Sequence, residues 1–281
     1  MLLTIDVGNT QTVFGIYSKD SLKIPGGIEP DAKRTAAQGL THHFRIATRT
    51  DRTPDEHALL LWQLLSMSGI DAENSFSGAV MSSSAPNVTF SLRNMVNRWL
   101  KLEPTVVEPG IKTSMPILYD NPKEVGADRI ADAVAALDLY GGPAIVVDFG
   151  TATTFDAINQ KGEYLGGSIA PGIEISLDAL YRNAASLKKV ELVPPRSVIG
   201  RSTTESIQSG ALWGFAGQTD AICGLFEEIL GKSHIIGTGG LCSVVAPYTK
   251  KIEYQEPWLT LHGLRIIYEK NLSTDKFEKK S

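Results

Sequence analysis

Cysteine is scarce in this sequence, and positive charge is in deficit. The only two cysteines among 281 residues are Cys223 and Cys242, and they do not form a CxxC spacing. Their number and spacing argue against a disulfide framework and a cysteine-rich zinc site, so we expect two reduced thiols in a core. The net charge of -4 argues against a nucleic-acid surface as the main function, and we expect no nucleic-acid partner.

Long apolar runs are absent as well. No run approaches the roughly 20 residues that span a bilayer. Met1 leads directly into a strand pattern, without the basic and apolar segments of a signal peptide. We therefore expect a cytoplasmic protein with no membrane partner. A hydrophobic content of 42% and a charged content of 21% are typical of globular proteins, and the length predicts about two domains.

The most informative stretch runs from Asp148 to Asp156. Residues 144–147 are apolar and predict a buried strand that delivers Asp148 to its end. Gly150 then permits a tight turn, and alternation over residues 153–157 predicts a second strand. The tip of such a hairpin presents backbone N–H groups and hydroxyls to phosphate, and a carboxylate to a cation.

The N-terminus repeats this arrangement. A strand pattern over residues 2–5 leads into Asp6-Val7-Gly8-Asn9-Thr10, and residues 12–17 predict the returning strand. Two such hairpins in one chain predict two related half-domains. The pattern resembles that of the actin, Hsp70 and sugar-kinase superfamily. The resemblance implies an α/β fold of two ribonuclease-H-like (actin-like ATPase) domains with an ATP cleft between them.

Helices are predicted between and after the hairpins. Thr53, Pro54 and Glu56 predict a helix start with a capping box. A second helix follows, whose apolar positions we expect to be buried: Val88, Leu92, Val96 and Trp99. In a long helix opening near residue 203, three glycines share roughly one face and would permit close packing: Gly210, Gly214 and Gly217.

Turn residues divide the chain into segments. The turn at residues 119–122 predicts a domain boundary, with an N-terminal domain over 1–121 and a C-terminal domain over 122–281. The segment 19–41 is rich in turn residues and predicts an exposed loop. A charged tail is predicted from residue 271 onward.

An acidic and a basic residue, Asp128 and Arg129, begin the next predicted helix, directly after Gly126 and Ala127. Taken alone, Asp128 would complement the helix dipole and Arg129 would form a surface ion pair. The phosphate-binding hairpin about twenty residues further on favours a role in a functional site instead.

Six stretches of the sequence form one recognisable set. They are Asp6-Val7-Gly8-Asn9-Thr10, Glu124-Val125-Gly126-Ala127-Asp128-Arg129, Asp148-Phe149-Gly150-Thr151-Ala152-Thr153-Thr154, Gly166-Gly167 with Pro171-Gly172, Gln208-Ser209-Gly210 and Thr238-Gly239-Gly240-Leu241. The first three, in this order, are highly specific. Together the six stretches resemble the type III pantothenate kinases, the first enzymes of coenzyme A synthesis.

The resemblance implies an ATP site with two cations. Asp6 is expected near Mg²⁺, and Asp148 is expected to bind the monovalent cation, K⁺ or NH₄⁺, that the family requires. The implied ATP contacts are Asp6, Val7, Gly8, Asn9, Thr10, Gln11, Thr12, Val13 and Thr151.

The resemblance also implies the second substrate, pantothenate, and a homodimer. Asp128 is implied as the proton acceptor, which suits phosphoryl transfer to a primary alcohol. Arg129 offers a fork that matches a carboxylate, which pantothenate has. Thr203 is implied as a contact from the partner subunit. The implied pantothenate contacts are Tyr119, Gly126, Ala127, Asp128, Arg129 and Thr203.

Two other functions remain open at this point. Another small-molecule kinase of the superfamily has the same hairpins, and only residues 126–129 argue for pantothenate. A non-catalytic regulator is the alternative from a different class. Retention of Asp6, Asp128 and Asp148 together favours an enzyme, because a binding module does not need all three carboxylates.

Overall fold

The chain folds into two compact units. The computed structural model describes residues 1–19, 34–184 and 187–278, with the backbone alone for 273–278. One unit comprises Met1–Leu139 and Trp258–Ser281, and the other comprises Tyr140–Pro257. Each contains a five-stranded sheet with helices, so the predicted two-domain α/β fold is confirmed.

The first unit is built on a mixed sheet. Its elements are β1 (Leu2–Val7), β2 (Gln11–Tyr17), β3 (Leu40–Ala47), α1 (Pro54–Met67), β4 (Gly78–Ser83), α2 (Pro86–Met95), β5 (Thr105–Val106), α3 (Ala127–Tyr140) and α7 (Leu259–Glu278). The strand order is β3-β2-β1-β4-β5. Strands β1, β4 and β5 are parallel to one another, and β2 is antiparallel to both of its neighbours, β1 and β3. Because side chains alternate along a strand, Leu3, Ile5 and Val7 pack with α1 and α2, and Asp6 faces the opposite side.

The second unit repeats this topology. Its elements are β6 (Ala144–Phe149), β7 (Ala152–Ile158), β8 (Tyr164–Pro171), α4 (Ile173–Asn183), α5 (Thr203–Leu230), β9 (His234–Thr238), α6 (Cys242–Val245) and β10 (Tyr254–Gln255). The strand order is β10-β9-β6-β7-β8. Read in reverse, as β8-β7-β6-β9-β10, this order matches β3-β2-β1-β4-β5 of the first sheet strand for strand. The predicted repeat of two hairpins in two related domains is therefore confirmed.

Several local predictions are confirmed. Thr53 caps α1, and its hydroxyl and backbone N–H are both bonded to Glu56, as a capping box requires. Cys223 and Cys242 are free and buried. Burial raises the pKa of each thiol to about 12, which keeps both protonated at neutral pH.

One core prediction is wrong. Trp99 is 41% exposed, and its indole Nε1–H donates to Asp55 at 2.9 Å. Helix α2 ends at Met95 and is followed by a short π-helical turn over Val96–Leu100. That turn changes the angular spacing of the side chains, so Trp99 no longer follows the buried face of α2.

The division into units differs from the predicted boundary between residues 121 and 122. Helices α3 and α7 pack together in the first unit, where a Cβ on Gly263 would lie 1.9 Å from the Ala131 carbonyl oxygen. His262 Nε2 also lies 3.1 Å from Asp138 Oδ2. Because these contacts join α3 to α7, the first unit extends to Leu139 and also includes the C-terminal segment that begins at Trp258.

The predicted loop over residues 19–41 is only partly described. Residues 20–33 lie outside the described residues. In the remainder, Thr35, Ala37 and Gln38 are exposed as predicted. Ala36 is buried, however, Arg34 Nη2 lies 2.6 Å from Asp138 Oδ2, and β3 begins at Leu40. At the other end, α7 continues to Glu278 where the sequence predicted a tail. Among the described residues, no helix is both long enough and apolar enough to cross a membrane.

Candidate active site

The first hairpin presents an exposed tip next to a carboxylate. Asp6 pairs with Val13 across β1 and β2, and the Gly8 N–H donates to the Gln11 carbonyl at 3.0 Å to close the turn. Residues 9–11 are exposed at the tip. Residues 6–13, the predicted first phosphate loop, therefore lie on one continuous hairpin.

Asp6 is in an unusual electrostatic environment. The Ser82 hydroxyl donates to Asp6 Oδ1 at 2.8 Å. Burial and the nearby charge of Asp128 raise the pKa of Asp6 to about 7, against the opposing effects of Ser82 and Arg45. A cation beside Asp6 would favour its ionised form, and this donor set fits Mg²⁺, which is held by one or two carboxylates plus phosphate and water.

The pair Asp128 and Arg129 opens helix α3. Asp128 lies in the first turn, as predicted, and its Oδ1 accepts a hydrogen bond from the Arg129 N–H at 2.8 Å. Gly126 makes room for this arrangement, because a Cβ there would lie 2.4 Å from Asp128 Oδ1. Arg129 is only 8% exposed, which rules out the alternative of a surface ion pair.

The loop before α3 forms part of a cavity of about 870 Å³ within the first unit. Gly126 and Ala127, both predicted to contact pantothenate, are in its wall. Phe90 from α2 lies in the same wall. Tyr119, also predicted as a contact, is half-buried and lies outside the wall. The cavity is roomy enough for a small molecule, since ligand pockets commonly span about 300–1,000 Å³.

The second hairpin brings Asp148 beside a glycine-rich turn. Asp148 is half-buried near the end of β6, and the Gly150 N–H donates to the Ala152 carbonyl at 3.0 Å. A Cβ on Gly239 would lie 2.1 Å from Asp148 Oδ1, and Gly239 has φ of +90°. Only glycine therefore fits at this position without displacing the carboxylate.

Thr203 is the first residue of α5 in the second unit, and it is exposed. It lines a cavity of about 470 Å³ with side chains of α4 and α5, including Leu177 and Phe215. The exposed side of α5 also carries Gly210 and Gly214.

A family model and close relatives identify the chain. The model of the type III pantothenate kinases matches residues 2–224. The chain belongs to the type III pantothenate kinase family. A type III pantothenate kinase from Streptomyces griseus is 48% identical over 281 residues, covering 97% of this chain and 99% of that protein. One from Moorella thermoacetica is 47% identical over 272 residues, covering 96% and 100%.

Solved structures agree on the fold of this pantothenate kinase family member. A Baf family protein from Campylobacter jejuni, described as a transcriptional activator, has a TM-score of 0.57 at 19% identity, covering 96% of this chain and 99% of that one. The activator of 2-hydroxyisocaproyl-CoA dehydratase from Clostridium difficile, solved with ADPNP, has a TM-score of 0.51 at 9% identity, covering 99% and 97%. At these identities, the likeness establishes the two-domain architecture alone.

Sequence reasoning missed two residues of this site. Ser82 bonds to Asp6 across strands 76 residues apart in sequence, and Thr48 bonds to the first hairpin from beyond β3. Neither stands in a recognisable motif, so only strand pairing reveals them. Gly239 did carry a signal, the Thr238-Gly239-Gly240 turn, but its relation to Asp148 required the structure.

Proposed function

We propose that this protein transfers the γ-phosphoryl group of ATP to the primary hydroxyl of pantothenate, forming 4′-phosphopantothenate in the first step of coenzyme A synthesis. The observation that carries the proposal is that the first hairpin and the start of α3 belong to one unit, where Asp128 is near enough for its charge to act on Asp6. The predicted ATP hairpin and the predicted pantothenate residues 126–129 thus belong to the same unit. The relatives are named pantothenate kinases, so ATP and pantothenate are the two substrates to consider.

The arrangement suits phosphoryl transfer, which depends on positioning and charge neutralisation. The backbone of the first hairpin binds the phosphates. Asp128, at the start of α3, accepts the proton of the pantothenate hydroxyl as that oxygen attacks. Arg129 holds the carboxylate end of pantothenate through its guanidinium fork.

Two cations complete the proposal. Asp6 is the carboxylate that would hold Mg²⁺ with the nucleotide, and Asp148 is the one that would hold K⁺ or NH₄⁺. When bound, these cations offset negative charge on the phosphates. Within the described residues, no cluster of three or more His, Cys, Asp or Glu side chains could hold a metal ion.

The test is an assay of ATP-dependent phosphorylation, with the product identified by mass spectrometry. We expect 4′-phosphopantothenate to form faster in K⁺ than in Na⁺ at equal ionic strength, and we expect Asp148→Ala to abolish the difference. Phosphorylation of a different alcohol alone would favour another kinase of the superfamily. ATP binding without turnover on any alcohol would favour a regulator.

A homodimer completes the proposed state of the enzyme. The exposed glycines of α5 and the apolar cavity beside Thr203 support this assembly, because small residues let two helices approach closely. In it, Thr203 reaches pantothenate bound to the partner subunit.

A further inference from the structure

Thr48, just beyond the end of β3, holds the first hairpin through three hydrogen bonds. Its hydroxyl donates to the Gly8 carbonyl at 2.8 Å and lies 2.9 Å from the hydroxyl of Thr12. Its backbone N–H donates to the Thr10 carbonyl at 2.9 Å. One residue thus bonds to both arms and the tip of the loop.

These bonds fix the direction of the loop's N–H groups. A trans peptide is planar, with its N–H pointing away from its C=O. Holding the Gly8 carbonyl therefore aims the Asn9 N–H away from Thr48, and holding the Thr10 carbonyl does the same for the Gln11 N–H. A phosphate-binding loop depends on the direction of such donors, because preorganised donors need no rearrangement when the ligand arrives.

In the described part of the chain, the second hairpin has no counterpart of the hydrogen bonds that the Thr48 side chain makes. Gly172 occupies the corresponding position after β8, and its N–H donates to the Thr151 carbonyl at 3.1 Å. A Cβ on Gly172 would lie 2.2 Å from that same carbonyl oxygen. The backbone bond is thus common to both hairpins, and the hydroxyl bonds belong to the first alone.

We infer that Thr48 is a positioning residue that sets the affinity for ATP by orienting the first phosphate loop. The inference rests on the proposed function, since it concerns the same nucleotide site. Thr48 acts through the loop and leaves the predicted pantothenate residues untouched.

The test compares Thr48→Val with Thr48→Ser. Valine keeps the shape and the backbone bond but removes the hydroxyl, which leaves the Gly8 carbonyl and the Thr12 hydroxyl without it. We expect the KM for ATP, and its calorimetric Kd, to rise on the order of 10-fold, with the KM for pantothenate unchanged. Serine restores the hydroxyl, and we expect it to restore the KM.

The matched control is Thr4→Val. Thr4 is a buried threonine of the same sheet whose hydroxyl donates to the Gly15 carbonyl at 3.1 Å, away from the loop. An equal rise in the KM for ATP in both valine variants, or no rise in Thr48→Val, overturns the inference. If Thr48→Val does not fold, Thr48→Ala takes its place with the same criteria. Wild-type protein that leaves pantothenate unphosphorylated contradicts the proposed function instead, and the calorimetric comparison of ATP binding still decides the role of Thr48.

Discussion

Two neighbouring carboxylates, Asp6 and Asp128, define the proposed chemistry at the scale of single residues. Burial and the nearby charge of Asp128 disfavour the ionised form of Asp6. A cation and a proton therefore compete for the Asp6 carboxylate. In the proposed reaction the cation lies with Asp6 and the proton goes to Asp128, so the two carboxylates have separate tasks.

Asp128→Asn separates these tasks. The variant keeps the shape at the start of α3 but removes the basicity, so we expect kcat to fall on the order of 10²–10⁴-fold. Removing the charge of residue 128 also removes one cause of the raised pKa of Asp6. The ionised form of Asp6 becomes more favourable in this variant. We therefore expect calorimetry to show Mg²⁺-ATP binding that is as tight as in the wild type or tighter.

Turnover within a few-fold of wild type in Asp128→Asn would leave Asp128 as a positioning residue only. A loss of nucleotide binding in a folded variant would contradict the division of tasks between Asp6 and Asp128. Pantothenate binding is measured separately, because the carboxylate can also accept the substrate hydroxyl before reaction.

At the scale of elements, the turn between β9 and α6 is fitted to the end of β6. Gly239→Ala places a methyl group against Asp148 at a backbone angle that only glycine adopts readily. We expect the K⁺ concentration for half-maximal activity to rise about 10-fold or more, because the carboxylate must move. Strain of this kind also costs about 1–3 kcal/mol of unfolding free energy.

Gly240→Ala is the matched control for Gly239→Ala. Among the described residues, no atom lies within 4 Å of a Cβ built on Gly240. We expect near-normal activity and K⁺ dependence from it, measured at a temperature well below the melting transition of each variant. The same K⁺ response in both alanine variants would mean that Gly239 has no effect on the proposed cation site.

Local patterns in the sequence predict the secondary-structure elements, but they do not predict contacts between residues that are far apart in the sequence. The capping box at Thr53 and the two hairpins are encoded within a few residues, so the sequence alone identifies them. Apolar spacing gave the direction of a helix face but not its limits, which is why Trp99 was misplaced. The bond from Ser82 to Asp6 joins strands 76 residues apart, and strand order cannot be obtained from local pattern.

At the scale of the whole molecule, the exposed face of α5 is the proposed interface of a homodimer. Gly214→Trp introduces a bulky side chain at an exposed position of α5, where a Cβ would meet no described atom within 4 Å outside its own helix backbone and chain neighbours. We expect the dimer dissociation constant, measured by light scattering across a dilution series, to rise on the order of 10²-fold. Activity should fall with dimer content, because in the proposed dimer Thr203 reaches pantothenate bound to the partner subunit.

Leu59→Trp supplies the control for this interface. Leu59 is 70% exposed on α1 in the first unit, so the same side chain is added to a helix that the proposal leaves uncovered. Dimerisation that is equally weak in both variants, or unchanged in Gly214→Trp, would place the interface elsewhere.

The repeated topology of the two sheets has a historical consequence. Two sheets with the same strand order, each opening on an aspartate hairpin, are what the duplication and fusion of one ancestral gene would leave. Fusion leaves each copy free to diverge, and Thr48 in one half and Gly172 in the other are corresponding positions at which the two hairpins now differ.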